Sequence, residues 1–264
     1  SFVKEGEIEF VVTGETLHKI VPNLRSYDLE RKEVKVEVLS KDGKTIISTE
    51  TIYAQKFIQL GKDREIRKKF LGLYWIGLPP YRKILEYTFT WDRLITEAGK
   101  KEEEVKGRIV EYTGIGDLWV SHRSEKLNSL YFRYTYPIIV KGVELAGRFT
   151  IDIAFNVTVE TVIPVIPIFY LKGRWFLPFT ATFKGIISDR LKNMELKKLE
   201  EMDKGSEFNL AVAEKNELLI STTGMKSFQT NYIDYAVAGT KEEKEAATAE
   251  KIAEIKGIEL QQVA

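Results

Sequence analysis

His18 and His122 are the only imidazoles in the chain, and neither has a second ligand type at a spacing such as His-x-x-x-His. A lone imidazole holds a metal only with carboxylates recruited from elsewhere, so a structural or solvated role is expected for both and no metal site is assigned. No serine lies in a Gly-x-Ser-x-Gly elbow, and Gly114-Ile115-Gly116-Asp117 has Asp where a dinucleotide loop needs another residue type, so it reads as a turn. Gly43-Lys44-Thr45 looks like the end of a phosphate loop, but Val38 stands five positions before Gly43 where that loop needs glycine. Lys41-Asp42-Gly43-Lys44 therefore reads as a hairpin turn, since Asp-Gly tolerates the positive φ such turns require. Asp152 and Glu160 share a strand parity, yet eight residues of rise part them by roughly 26 Å, too far for paired acid–base work, and both are expected in solvent. The absence of cysteine removes disulfides, thiolate metal sites, thiol catalysis and palmitoylation together. No catalytic, cofactor-binding or metal residue is nominated, and the expectation is a protein that is not an enzyme.

The elements are more legible than any chemistry. From Phe149 to Ile163 the residues Phe149, Ile151, Ile153, Phe155, Val157, Val159 and Ile163 fall on one parity, while Thr150, Asp152, Asn156, Thr158 and Glu160 fall on the other. Successive strand side chains point to opposite faces, so this predicts a long strand with one face on a core, with Thr161 the one lapse. Further strands are predicted over 8–12, 34–38, 46–57, 82–91, 131–140 and 225–237. Pro164 and Pro167 lack backbone donors, so sheet pairing ends there and a loop is expected. Residues 98–106, carrying Lys100-Lys101-Glu102-Glu103-Glu104, read as a solvated loop or hairpin tip.

A helical period replaces the strand period from about Pro178 to Asp203, with Phe183, Ile186, Ile187, Leu191 and Met194 on one stripe and Gly205 as its stop. Ser206 is the N-cap candidate of a second helix bearing Phe208, Ala211, Val212 and Leu219, closed by Gly224. The fold class expected is α+β. After Gly239 the chain is rich in Ala, Glu, Lys and Ile, and Ala249, Ile252, Ala253, Ile255 and Leu260 supply the apolar contacts of a helix that would be marginal alone. That helix is expected to pack against a copy of itself or a partner.

One apolar run stands apart: Phe70 to Tyr81 holds Tyr74, Trp75, Ile76, Leu78 and Tyr81, flanked by Lys68, Lys69 and Arg82. Aromatics beside cations suit a bilayer interface, with rings at headgroup depth and ammonium groups near phosphates; folding into the core is the alternative. Forty basic against thirty-nine acidic residues leave a formal charge of +1, so no overall field recruits nucleic acid. No run approaches the roughly 20 apolar residues that cross a bilayer. The sequence opens on Ser1 and closes inside a helical pattern, and a longer protein cut at both ends is expected.

The order of elements resembles the SPFH family, also called Band 7, of stomatin, prohibitin and flotillin relatives. The residues that carry the resemblance are Gly6 to Glu15, Leu71 to Tyr81 with its Tyr-Trp-Ile-Gly-Leu-Pro-Pro run, the strand from Phe149, the helix through Ile186, and Glu245 to Glu250. The Leu71 to Tyr81 run is similar to that of a divergent bacterial branch. The resemblance implies two β-rich subdomains, 1–130 lying at the membrane and 131–237, followed over 238–264 by the start of a long coiled-coil helix. It implies a membrane scaffold whose copies close into a ring or cage, alone or with a paralogue, with lipids and a membrane protease as partners. An N-terminal anchor before Ser1 is expected and is missing from this chain, the acylated cysteines of some relatives are absent, and Phe169 to Phe176 enlarges the loop after the long strand. Two other classes compete: a β-rich lipid- or ligand-binding module, which a concave apolar cavity would favour, and an enzyme with an unrecognised carboxylate site.

Overall fold

The computed structural model describes residues 3–39, 45–60, 73–77, 81–146 and 149–238. The fold is α+β. Alternating Ile8, Phe10 and Val12 build β1 (Glu7–Thr13), which turns at Gly14 into β2 (Thr16–Pro22), a strand the sequence pattern did not reveal. On its other side β1 pairs with the short β5 (Lys83–Ile84) and with β9 (Ser129–Tyr131). β3 (Tyr27–Leu39) and β4 (Ile46–Gln59) form the long hairpin expected from their alternation; the Lys41–Lys44 turn lies outside the described residues.

β11 (Thr150–Thr161) is the centre of a second antiparallel sheet, between β10 (Arg133–Glu144) and β12 (Met225–Val237). Ile151, Ile153, Phe155 and Val157 are wholly buried, as their parity requires. Phe155 lies opposite Ile138 on one side and Tyr232 on the other. Glu160 corrects the expected solvation: it is 3% exposed and pairs with Arg133 and with Lys226 at 2.8 Å. A carboxylate enters a covered position only when cations and hydrogen bonds replace its water, and these two cross-strand neighbours do so.

Sheet pairing stops at Thr161, but the Pro-containing stretch is not an open loop. Residues Ile166–Tyr170 wind into a π-helical turn, and α2 (Phe176–Leu191) follows. The predicted helix to Asp203 is broken after α2 and resumes as α3 (Leu196–Glu201). Gly205 is no stop: it lies inside α4 (Lys204–Ala213), whose N-cap is Asp203, accepting from the Ser206 amide at 3.3 Å, rather than Ser206 itself. A further break separates α4 from α5 (Asn216–Thr223), which ends at left-handed Gly224 as expected. Phe183, Ile187, Leu191, Phe208, Val212 and Leu219 are all fully buried, and Ile186 is partly buried against the same core.

The third sheet runs in the order β6-β8-β7, from β6 (Tyr87–Thr96), β7 (Ile109–Tyr112) and β8 (Leu118–Leu127). Residues 97–105 form α1 (Glu97–Val105), which corrects the loop expected there. The helix is amphipathic in charge rather than apolarity: Glu103 points inward to Ser121, Arg108 and Arg123, and Lys100 lies 3.9 Å from the centre of the Trp119 ring. The main apolar core draws on both halves of the chain, joining Phe10, Phe57 and Phe89 to Phe155, Phe179 and Phe183. At one end Trp175 stacks on Phe89 at 5.3 Å, and Phe89 on Trp91 at 5.1 Å.

Candidate functional site

The aromatic run is only partly described, with Leu78, Lys68 and Lys69 outside the described residues. Within 73–77 the side chains alternate. Tyr74 and Ile76 turn toward the body of the protein, against Val3, Val11 and Val21, and the Tyr74 hydroxyl donates to the Pro22 carbonyl at 3.0 Å. Leu73 and Trp75 point the other way, 59% and 78% exposed, and Tyr81 is 75% exposed. Arg82 is half-buried, its stem packed against Gly77. Gly77 has φ +107°, so a Cβ there would be both strained and in collision with that stem. The run is thus a tethered strip whose two inner residues grip β1 and β2 while three large apolar residues stand in solvent. Ala249, Ile252, Ala253, Ile255 and Leu260, the self-association residues, lie outside the described residues.

A second site was not nominated from sequence. Register puts Asp92 (β6) opposite His122 (β8), and places Glu111 (β7) on the same sheet face. The His122 Nδ1 is 2.7 Å from Asp92 Oδ1. A carboxylate only accepts, so in the neutral ring the proton is on Nδ1 and Nε2 presents a lone pair. Nε2 faces Glu111 Oε2 at 3.6 Å, longer than a hydrogen bond. Lys141, from β10, donates to the other Glu111 oxygen at 2.7 Å, and this bond holds the Glu111 carboxyl below the usual carboxylate range.

These groups line a cleft of about 340 Å³ whose opposite wall is α2, with Thr180 and Lys184. Burial pushes the Lys184 ammonium below its usual pKa, the Asp92 charge opposes that shift, and Lys141 adds to it. Lys184 forms no hydrogen bond or ion pair with a described residue. The hydroxyls nearby are engaged with backbone: Tyr112 donates to the Gly116 carbonyl at 2.7 Å, Thr113 to the Leu118 carbonyl at 2.8 Å, and Thr180 to the Leu177 carbonyl at 2.9 Å. An Asp–His pair activates a nucleophile only if one is in reach, and these hydroxyls are directed elsewhere. The arrangement can bind and exchange protons; it is charged, not the apolar cavity that a lipid pocket would need.

Two other charged groups are structural. Burial works against ionised Glu103, but hydrogen bonds from Arg108 and Ser121 and the charges of Arg123 and Arg108 prevail and bring its carboxyl down to about 2. The Glu160 group described above is the other. Among the described residues, no set of three or more His, Asp or Glu side chains is placed to hold a metal ion. No described helix is long and apolar enough to cross a membrane. A larger, shallow groove of about 1000 Å³ lies between α2, α4 and α5, with Leu177, Ala181, Gly185, Leu210 and Leu218 along it.

No protein-family model matches this chain, and no curated protein resembles it at a significant level. The site's four charged strand residues come from four different strands, and Lys184 from a helix. No local motif could have announced them; the only sequence signal was a histidine on a strand beside Ser121 and Arg123.

Proposed function

We propose that this chain is the β-rich part of an SPFH-type, membrane-associated scaffold without catalytic activity. In this reading residues 1–130 form the subdomain nearest the bilayer and 131–237 the second. The helix from about Thr240 associates copies into a ring or cage, and an anchor outside this chain holds the assembly to the membrane. The observation that carries the reading is the strip at 73–77 together with Tyr81. Each large apolar side chain left in water forgoes roughly 1.5–3 kcal/mol, and Leu73, Trp75 and Tyr81 are all more than half exposed while their neighbours Tyr74 and Ile76 fix the backbone beneath them. A rigid mount under exposed aromatics beside Arg82 is suited to the headgroup region of a bilayer. The order of a long strand, an amphipathic helix, a helical run closed by Gly224 and a returning strand supports the same reading.

The test is quenching of tryptophan emission by brominated phospholipid in vesicles containing anionic lipid. Trp175 is buried and Trp91 and Trp119 are half-buried, so the difference between wild type and Trp75→Phe isolates the exposed ring. Quenching present in wild type and lost in Trp75→Phe supports membrane contact through this strip. Equal quenching in both proteins, or none in either, sinks that contact.

A further inference from the structure

The cleft between the β6-β8-β7 sheet, β10 and α2 goes beyond the scaffold reading and does not depend on it. Of the five charged or imidazole side chains that line it, four are matched in pairs: Asp92 takes the Nδ1 proton of His122, and Glu111 Oε1 takes Lys141. Two features are left over, and they differ in kind. On the helix wall stands Lys184, a partly desolvated ammonium without an ion-pair partner among the described residues. On the sheet wall His122 Nε2 and Glu111 Oε2, both acceptors in the neutral-ring state, face each other at 3.6 Å. An O–H or N–H brought within hydrogen-bond reach of either acceptor would supply the donor they lack, and among the described residues none does so. The complement of the cleft is therefore an oxyanion that also carries a hydroxyl or amine.

We propose that this cleft binds a small organic oxyanion carrying a hydroxyl or amine, with Lys184 on the oxyanion and the His122–Glu111 pair accepting from the donor. Its volume of about 340 Å³ limits the ligand to a small molecule or to the end of a larger one. A carboxylate and a phosphate ester share this chemistry. Asp92 is the positioning residue: its bond to Nδ1 keeps the Nε2 lone pair turned to the ligand. Thr180, Thr113 and Tyr112 contribute walls and no donor, since their hydroxyls are bonded to backbone carbonyls.

The experiment exploits the presence of only two histidines. Long-range proton–nitrogen correlation spectra resolve both rings, and exposed His18 serves as the internal control. The full chain is titrated with glycolate, acetate and inorganic phosphate at constant pH and ionic strength. The expected result is a saturable shift of the His122 nitrogens, with glycolate, at millimolar concentration, and no comparable shift at His18. Acetate, which lacks the hydroxyl, binds several-fold more weakly, and Lys184→Met weakens glycolate at least tenfold. Lys184 lines the cleft but is exposed overall and is not among the α2 residues buried in the core, so the variant retains the core contacts of that helix, and an unchanged melting temperature verifies this. Tighter binding of phosphate than of glycolate assigns a phosphate ester, and the reverse assigns a hydroxy acid; either supports the site. Parallel shifts at His18 and His122, or an unchanged glycolate affinity in Lys184→Met, overturn it. Equal affinity for acetate and glycolate overturns the role of the His122–Glu111 pair. No lipid is present, so failure here leaves the membrane reading untouched.

Discussion

The β10-β11-β12 sheet and the β6-β8-β7 sheet are both three-stranded and antiparallel, yet they are covered by opposite means. The first is closed by apolar rings and branched aliphatics: Phe155 meets Phe183 at 5.4 Å and Phe208 at 5.1 Å, edge to face in both cases. The second is covered on one face by α1 through Glu103, whose partners are Ser121 and two arginines, and carries the Asp92–His122–Glu111 row on the other. Apolar packing is non-directional, tolerates exchange of residues that conserve its volume, and yields stability. A charge cluster must be matched group by group, and where it is left unmatched, as at Lys184, it can recognise something. The two sheets divide stability and recognition between them.

The comparison breaks most visibly in the first sheet's cover. Ile187→Asp puts an unpaired carboxylate at a fully buried position of α2 and is expected to cost about 4 kcal/mol or more, the mark of a charge in a core. Chemical denaturation reads this directly, and a stability within 1 kcal/mol of wild type, roughly the spread of ordinary surface changes, would show that α2 does not close the sheet.

Gly224→Ala tests the same region through the backbone. Its φ is +74°, and an added Cβ would lie 2.5 Å from the Ile163 carbonyl oxygen and 2.8 Å from Pro167 Cδ. Neither neighbour is a flexible side-chain end, so strain and overpacking add to about 3 kcal/mol. An effect no worse than that of Gly185→Ala, a mid-helix change with nothing within 4 Å of the added Cβ and so expected to be neutral or stabilising, would mean that the turn gives way freely.

These first positions were readable because burial in the apolar sheet is periodic. Seven residues on one parity reported β11, a helical stripe reported α2, and Gly224 announced its own stop. The misread carboxylates share one physical cause, charged residues doing structural work. Glu103 and Glu160 looked like solvent-facing carboxylates because the arginines that satisfy them are distant in sequence, Arg123 for the first and Arg133 for the second. The same blindness hid the cleft: Asp92 and His122 are brought together only by strand register, and Lys184 only by the docking of α2. The exposed strip was half legible, since the run of aromatics was plain while its alternation, Tyr74 and Ile76 inward, required the backbone.

Glu103→Gln moves the test to the charged sheet. Losing the carboxylate while keeping its shape leaves Arg108 and Arg123 short of an anion, at a cost of about 2 kcal/mol near neutral pH. The pH dependence supplies the sign. Glu103 titrates at about 2 in the folded protein against 4.5 for an ordinary glutamate, so its ionised contribution is fully present above about pH 4.5 and fades as pH falls toward 2. The gap between wild type and Glu103→Gln is therefore expected to shrink across that window. A gap constant from pH 7 to 3 would assign the loss to packing instead of charge.

His122→Gln has the smallest expected effect and sharpens the contrast most. The ring is 39% exposed and Asp92 37%, so their bond is partly screened by water, and replacing the imidazole with an amide that still reaches Asp92 changes stability by no more than about 0.5 kcal/mol. Glutamine offers the cleft an amide but not the paired lone pairs at Nε2 and Glu111, so glycolate binding, followed in this variant by calorimetry, is expected to weaken several-fold while the melting temperature stays within a degree or two. A variant that melts several degrees lower would make His122 one more matched charge holding a sheet together, like Glu103. A variant that melts normally and binds weakly separates the open face of this sheet from its buried one, because a group whose second partner is supplied from outside can be removed with little cost to the fold.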